Sequence, residues 1–248
     1  MTSTKAFYAR VKPELDAAFS AVMAGMDFDG QKQTEQLAKT LEEYLQVSHA
    51  VPLASASEAL QLALLALQSP AGAEVILPAF GYEGAAAAVL NAGLIPVFAD
   101  VDADTFTISP TSVVQHITPA TVAIVPVHLF GQCAAMQELM DVAEKHQLWV
   151  VEDATQACGA NYFWPGGKAS KAGTIGHIGI VSFFPSKPEA EAGEGAAVLT
   201  NDSTLAEKLQ HILRREEGTF QSKKLDALQA AMLQVKARHV DAFNIAHS

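Results

Sequence analysis

The sequence predicts an α/β fold: a mostly parallel, seven-stranded sheet flanked by helices. Three observations predict it. Short runs rich in Val, Ile, Leu and Phe alternate with longer helical patterns, as in repeated strand–helix–strand units. Most of these runs are continuous, with little apolar–polar alternation, as expected of strands covered on both faces. Finally, 248 residues suffice to bury a sizeable core without disulfides or metals.

In chain order, helical patterns at 13–24 and 33–46 come first, so residues 1–47 read as an N-terminal helical segment. Strands are expected at 50–53, 74–78, 95–99, 122–128, 148–152, 180–184 and 196–200, within a large α/β domain at 48–223. Helices are expected between several of them, at 58–67, 84–92 and 135–147. Residues 162–176, rich in Gly, Lys and Ser without apolar periodicity, read as a loop. Helices follow at 203–215 and 224–246, the second with an apolar stripe through Leu225, Leu228, Met232, Val235 and Phe243.

Composition narrows the function. Half the residues are hydrophobic and 17% are charged, which excludes a disordered chain. Sixteen basic residues against 27 acidic ones give a net charge of −11, so general nucleic-acid binding is not expected. No apolar run approaches the length of a membrane span. The first twelve residues do not read as a signal peptide, and cytoplasm is the expected location. Cys133 and Cys158 lack metal or redox spacing, and the eight histidines lack zinc spacing. There is no Walker motif and no Gly-x-Ser-x-Gly elbow.

Sites in open α/β sheets sit beyond the carboxyl ends of the strands, and four expected strand ends are distinctive. At 54–58, small residues including Ala56 and Ser57 open a helix that is apolar almost all round. Free N–H groups there can hold a phosphate, although an ordinary serine N-cap is the commoner explanation of the pattern taken alone. Asp153 follows a buried strand, where a carboxylate is costly unless paired. Helix capping is its plainer explanation. Lys187 lies just past another strand and Pro185. Desolvation there would favour a neutral, nucleophilic amine, whereas a solvated loop lysine is the commoner case. Tyr82 sits at a strand-to-helix turn, as a binding aromatic or as core packing. Together, a phosphate-holding helix start, an aromatic plate, a strand-end aspartate and a lysine suit pyridoxal phosphate.

The stretches VILPAF at 75–80, PVFADVD at 96–102, PVHLFGQ at 126–132, VEDATQ at 151–156 and SFFPSK at 182–187 resemble the DegT family of pyridoxal-phosphate-dependent sugar aminotransferases, of fold type I. The resemblance runs from about Lys12 to Phe243. It implies that Lys187 is the covalent partner of the cofactor and moves the proton in catalysis. It implies that Asp153 pairs with the pyridine nitrogen, Gln156 contacts the ring hydroxyl and Tyr82 stacks on the ring. Ala56, Ser57 and Ser182 match the phosphate cup, with Ala56 for the usual glycine and Ser57 for the usual threonine. The implied substrates are an amino-acid donor such as glutamate and a nucleotide-linked keto-sugar, and the implied assembly is a homodimer.

The sequence departs from the family pattern in places. Residues 218–224 lack the asparagine and arginine expected there, Pro188-Glu189-Ala190-Glu191 adds acids near Lys187, and Glu194-Gly195-Ala196 replaces Glu-Gly-Gly. Residues 224–248 read as a helix that would lead to a small C-terminal domain absent here. The alternative to an enzyme is a truncated or degenerate homologue that binds or regulates without turnover.

Overall fold

The structure is a computed structural model and describes residues 4–183, 195–214, 220 and 225–247. Two helices lead the chain, α1 (Thr4–Gly25) and α2 (Gln31–Leu45). The expectation that the first helix starts at Pro13 is corrected: it starts at Thr4, with an exposed Pro13 inside it. Val11 and Leu15, on either side of the proline, are both buried against Val235. That packing outweighs the one backbone bond the proline removes.

The central elements follow the expected alternation. They are β1 (His49–Leu53), α3 (Ala56–Ala66), β2 (Glu74–Pro78), α4 (Gly84–Asn91), β3 (Ile95–Ala99), α5 (Pro110–His116), β4 (Thr121–Ile124), α6 (Met136–His146) and β5 (Trp149–Asp153). The short α5 is additional to the helices read from sequence; Ser109 caps it and Pro110 begins it. The strand expected at 122–128 ends as a ladder at Ile124, because Pro126 offers no N–H. A single bridge, Val127 to Asp153, resumes the pairing.

The loop expected at 162–176 is a two-stranded ribbon in part: β6 (Asn161–Phe163) pairs antiparallel with β7 (Ala169–Lys171). The next strand, β8 (Ile178–Ser182), lies two residues earlier than expected, and β9 (Ala196–Thr200) lies where expected. After α7 (Ser203–Arg214), the helix expected to run unbroken to 246 is two helices, α8 (Ala227–Ala237) and α9 (Val240–His247). Arg238 and His239 donate backbone bonds to Val235 and Lys236, three residues back, and this tightening ends α8.

The seven-stranded sheet has the order β1-β9-β8-β5-β4-β2-β3. Only β9 runs against the others, since β1 and β8 each pair antiparallel with it. The remaining pairs are parallel. Side chains alternate across the sheet. Val51, Leu53, Val151, Ile178, Ile180 and Val198 face α3, α4 and α7. On the other face, Val181, Ala197 and Leu199 meet α2 and α8, while Ile76, Ile124 and Val150 meet α5 and α6. Both faces of the central strands are therefore covered, which explains their continuous apolar runs, while the edge strand β3 leaves Ile95 and Phe98 exposed. Among the described residues no helix is long and apolar enough to cross a membrane, and no cluster of His, Cys, Asp and Glu could hold a metal ion.

Candidate active site

Because six strands point the same way, the carboxyl ends of β1, β2, β5 and β8 lie on one edge of the sheet. Those ends lead to Ala56 and Ser57, to Tyr82, to Asp153 and Gln156, and to Ser182. Asp153 and Ser182 end neighbouring parallel strands, with Asp153 in register with Ile180. Both share a face with Val151 and Ile180, which pack toward α3. Lys187 lies outside the described residues, as do Pro188 to Glu191 and most of the 218–224 stretch.

The serine N-cap expected in this stretch is Ser55, whose hydroxyl accepts the Glu58 N–H at 3.3 Å at the start of α3. Ala56 and Ser57 are the first two helical residues, so their N–H groups have no partner within the helix. Ser57 is thereby released from capping. A Cβ on Gly84 would collide with the Tyr82 ring and lie 3.4 Å from the Ser57 hydroxyl oxygen. Tyr82 and Ser57 thus meet over Gly84, and only a glycine leaves the space. The tyrosine is 70% exposed, so its ring is open to a ligand.

Asp153 is buried, at 8% exposure. Its Oδ1 accepts the Thr155 N–H at 3.0 Å. Among the described residues its second oxygen has no hydrogen-bond partner. Its backbone is held on both sides: its N–H donates to Pro126 O at 2.8 Å, and its carbonyl accepts from His128 N at 2.9 Å. Gln156 is exposed, and its Oε1 accepts the Phe130 N–H at 3.2 Å. That leaves the Nε2 donors for another group.

One cluster was not foreseen. Glu152 and His128 are both fully buried, and His128 Nε2 lies 2.8 Å from Glu152 Oε2. Gly173, Ile175 and Gly176 also donate their backbone N–H groups to this carboxylate, at 3.0, 2.6 and 2.5 Å. A buried strand-end acid that must be paired was visible in the sequence, but its partners lie 21 to 24 residues away. Nearby, burial and secondarily the Glu152 charge push the Cys133 thiol up to about 11.

An aspartate with one oxygen unpartnered among the described residues, an open helix N-terminus, an exposed aromatic and an amide donor thus lie on one sheet edge, a donor set that could hold an anionic, aromatic ligand. The fold and edge geometry define the class as an open, mostly parallel α/β sheet with its candidate site beyond the strand ends. The chain belongs to the DegT/DnrJ/EryC1/StrS aminotransferase family, whose sequence profile matches residues 10–247. It is 37% identical over 243 residues to the "Pleiotropic regulatory protein" of Geobacillus stearothermophilus, covering 94% of this chain and 63% of that protein. It is 36% identical over 253 residues to the UDP-N-acetyl-3-dehydro-alpha-D-glucosamine 3-aminotransferase of Acidithiobacillus ferrooxidans, covering 98% and 67%. Among solved structures, DesV of S. venezuelae in complex with a ketimine intermediate superposes with a TM-score of 0.82 at 33% identity, covering 97% of this chain and 65% of DesV. The chain therefore spans about two thirds of the length of these relatives.

Proposed function

We propose that this chain carries the cofactor-binding part of a pyridoxal-phosphate-dependent aminotransferase that moves an amino group from an amino acid, glutamate first among candidates, to a nucleotide-linked keto-sugar. Such a reaction belongs to the making of sugars for cell-surface polysaccharides or secondary metabolites. The observation that carries this reading is the Asp153 oxygen left unpartnered among the described residues, on the same sheet edge as the open N-terminus of α3. The donor set fits the cofactor: an anion for a ring nitrogen, free N–H groups for a phosphate, an aromatic plate and an amide. When bound, pyridoxal phosphate supplies an aldehyde and an electron-accepting ring through which the amino group passes.

The chain's own residues then have separate tasks. Asp153 would hold a proton on the pyridine nitrogen. The Ala56 and Ser57 N–H groups, with the Ser57 and Ser182 hydroxyls, would hold the phosphate, aided by the α3 dipole. Tyr82 would cover the ring and exclude water from one side. Gln156, its oxygen fixed by Phe130, would donate from Nε2 to the ring hydroxyl. Lys187 would be the covalent partner and would move the proton between the donor and acceptor carbons. Residues 48–223 carry these groups, and the helices of 1–47 and 224–248 brace them. The working assembly in this reading is a cytoplasmic homodimer, with no nucleic-acid partner.

The competing reading is a regulatory chain without turnover. Retention of Asp153, Gln156 and Lys187 weighs for the enzyme. The test is borohydride reduction of the protein with pyridoxal phosphate, followed by peptide mass analysis, then turnover with glutamate and a panel of nucleotide-linked keto-sugars. Label on Lys187 that is lost in Lys187→Ala, together with turnover, supports the proposal. Label elsewhere, or none, defeats the site assignment; label without turnover favours the regulatory reading.

A further inference from the structure

We propose that His128 and Glu152 are positioning residues that aim the Asp153 carboxylate, an inference that rests on the assignment of Asp153 to the cofactor's ring nitrogen. Glu152 and Asp153 are consecutive residues on opposite faces of β5. Anything that fixes the first therefore fixes the orientation of the peptide that carries the second.

Glu152 is fixed from every direction its oxygens allow. An ionised carboxylate offers about four lone-pair sites, and all four are taken, by His128 Nε2 and the N–H groups of Gly173, Ile175 and Gly176. The Ala134 N–H donates to His128 Nδ1 at 3.1 Å. That nitrogen therefore bears a lone pair, and the ring proton sits on Nε2, facing Glu152. The close approach of the donor loop requires Gly176, since a Cβ there would lie 2.9 Å from Val150 O.

The same histidine also grips Asp153 directly, its backbone N–H donating to the Asp153 carbonyl. Through Ala134 it closes the 129–134 turn, from which Phe130 holds Gln156. The donor loop on Glu152 runs straight into β8 and Ser182. One buried pair thus ties together the three segments that carry Asp153, Gln156 and Ser182. An apolar pair of similar volume would suit a purely packed core at least as well, because a buried charge is a weak source of stability. Directional bonds differ from apolar packing in fixing angles, which a carboxylate aimed at one ring atom requires.

The experiment compares affinities for pyridoxal phosphate and for its 1-deaza analogue, in which carbon replaces the ring nitrogen. The proteins are the full chain, Asp153→Asn, Glu152→Gln, His128→Asn and His128→Gln. His128→Gln keeps an N–H donor near the Nε2 position, whereas His128→Asn does not reach it. The unaltered chain should prefer pyridoxal phosphate by about tenfold or more, the scale of one charge-assisted hydrogen bond. That preference should collapse in Asp153→Asn, Glu152→Gln and His128→Asn, and survive in His128→Gln. A purely structural role would weaken both ligands alike and leave the preference intact, which would overturn the proposal. General destabilisation is common to the two His128 variants, so their difference remains informative. If Asp153→Asn itself leaves the preference unchanged, or the unaltered chain binds neither ligand, the cofactor assignment fails instead.

Discussion

Glu152 and Asp153 are neighbours on one strand, carry the same functional group, and have opposite fates. Glu152 faces the α6 side, is sealed from water and receives four hydrogen bonds. Asp153 faces the α3 side, at the open edge of the sheet, and receives one among the described residues. The difference lies in what the opposite chain segments present. Three N–H groups of one loop and a histidine converge on the first, and among the described residues only the Thr155 turn reaches the second. A saturated buried carboxylate has no capacity left for a ligand, so it acts on structure. One at the open edge keeps capacity for a further donor, which is the role proposed for Asp153.

The largest break in this comparison comes from Glu152→Leu. It strands three backbone N–H groups and the His128 N–H, each costing about 1–3 kcal/mol when left buried and unpaired. Urea unfolding should show a loss of at least about 3 kcal/mol. By contrast, Asp153→Asn keeps an oxygen for Thr155 and should move stability by less than about 1 kcal/mol, while cofactor affinity falls.

A second contrast, between Ser55 and Ser57, is smaller. Ser55→Ala removes the α3 cap and should cost about 1 kcal/mol in the same assay. Ser57→Ala, with no cap to lose, should leave stability within about 0.5 kcal/mol and weaken phosphate-bearing ligands.

Smaller still is a pH effect from the amino end of β5. Burial lowers the His177 pKa from 6.5, and its Nδ1 accepts the Val150 N–H. The unfolded chain therefore takes up a proton below pH 6.5 before the folded one does, so stability should fall as pH drops below 6.5. His177→Asn keeps an acceptor and should flatten this part of the profile in thermal melts. Least of all, Cys133, with its thiol raised to about 11, should react with a thiol reagent at pH 8 more slowly than a free cysteine thiol. Glu152→Gln should narrow that gap.

Much of this molecule was legible in the sequence because its sheet is covered on both sides. Strands such as Glu74–Pro78 and Ala196–Thr200 are bounded as apolar runs are bounded. The strand-end residues Asp153, Ser182, Ser57 and Tyr82 were legible because strand direction places them on one edge. What escaped depends on tertiary contact. The apolar contacts of α1 begin only at Val11, which packs against Val235 of α8 from far along the chain. The β6–β7 ribbon has three-residue strands, too short for a period to show. The Glu152 partners are backbone groups, which carry no residue signature at all.

The enclosure of α3 has an electrostatic consequence. Ala59, Leu60, Leu62, Ala63, Leu64 and Ala66 are buried, so water and ions reach this helix mainly at its end. Its N-terminal partial charge, roughly half a unit, is therefore poorly screened along its length. The molecule as a whole carries −11 and repels a phosphate dianion from afar. Salt weakens the distant repulsion, with a screening length of about 8 Å at physiological strength, and leaves the short-range attraction at Ala56 and Ser57 nearly intact. For this protein, raising ionic strength should speed the arrival of a phosphate-bearing ligand instead of slowing it.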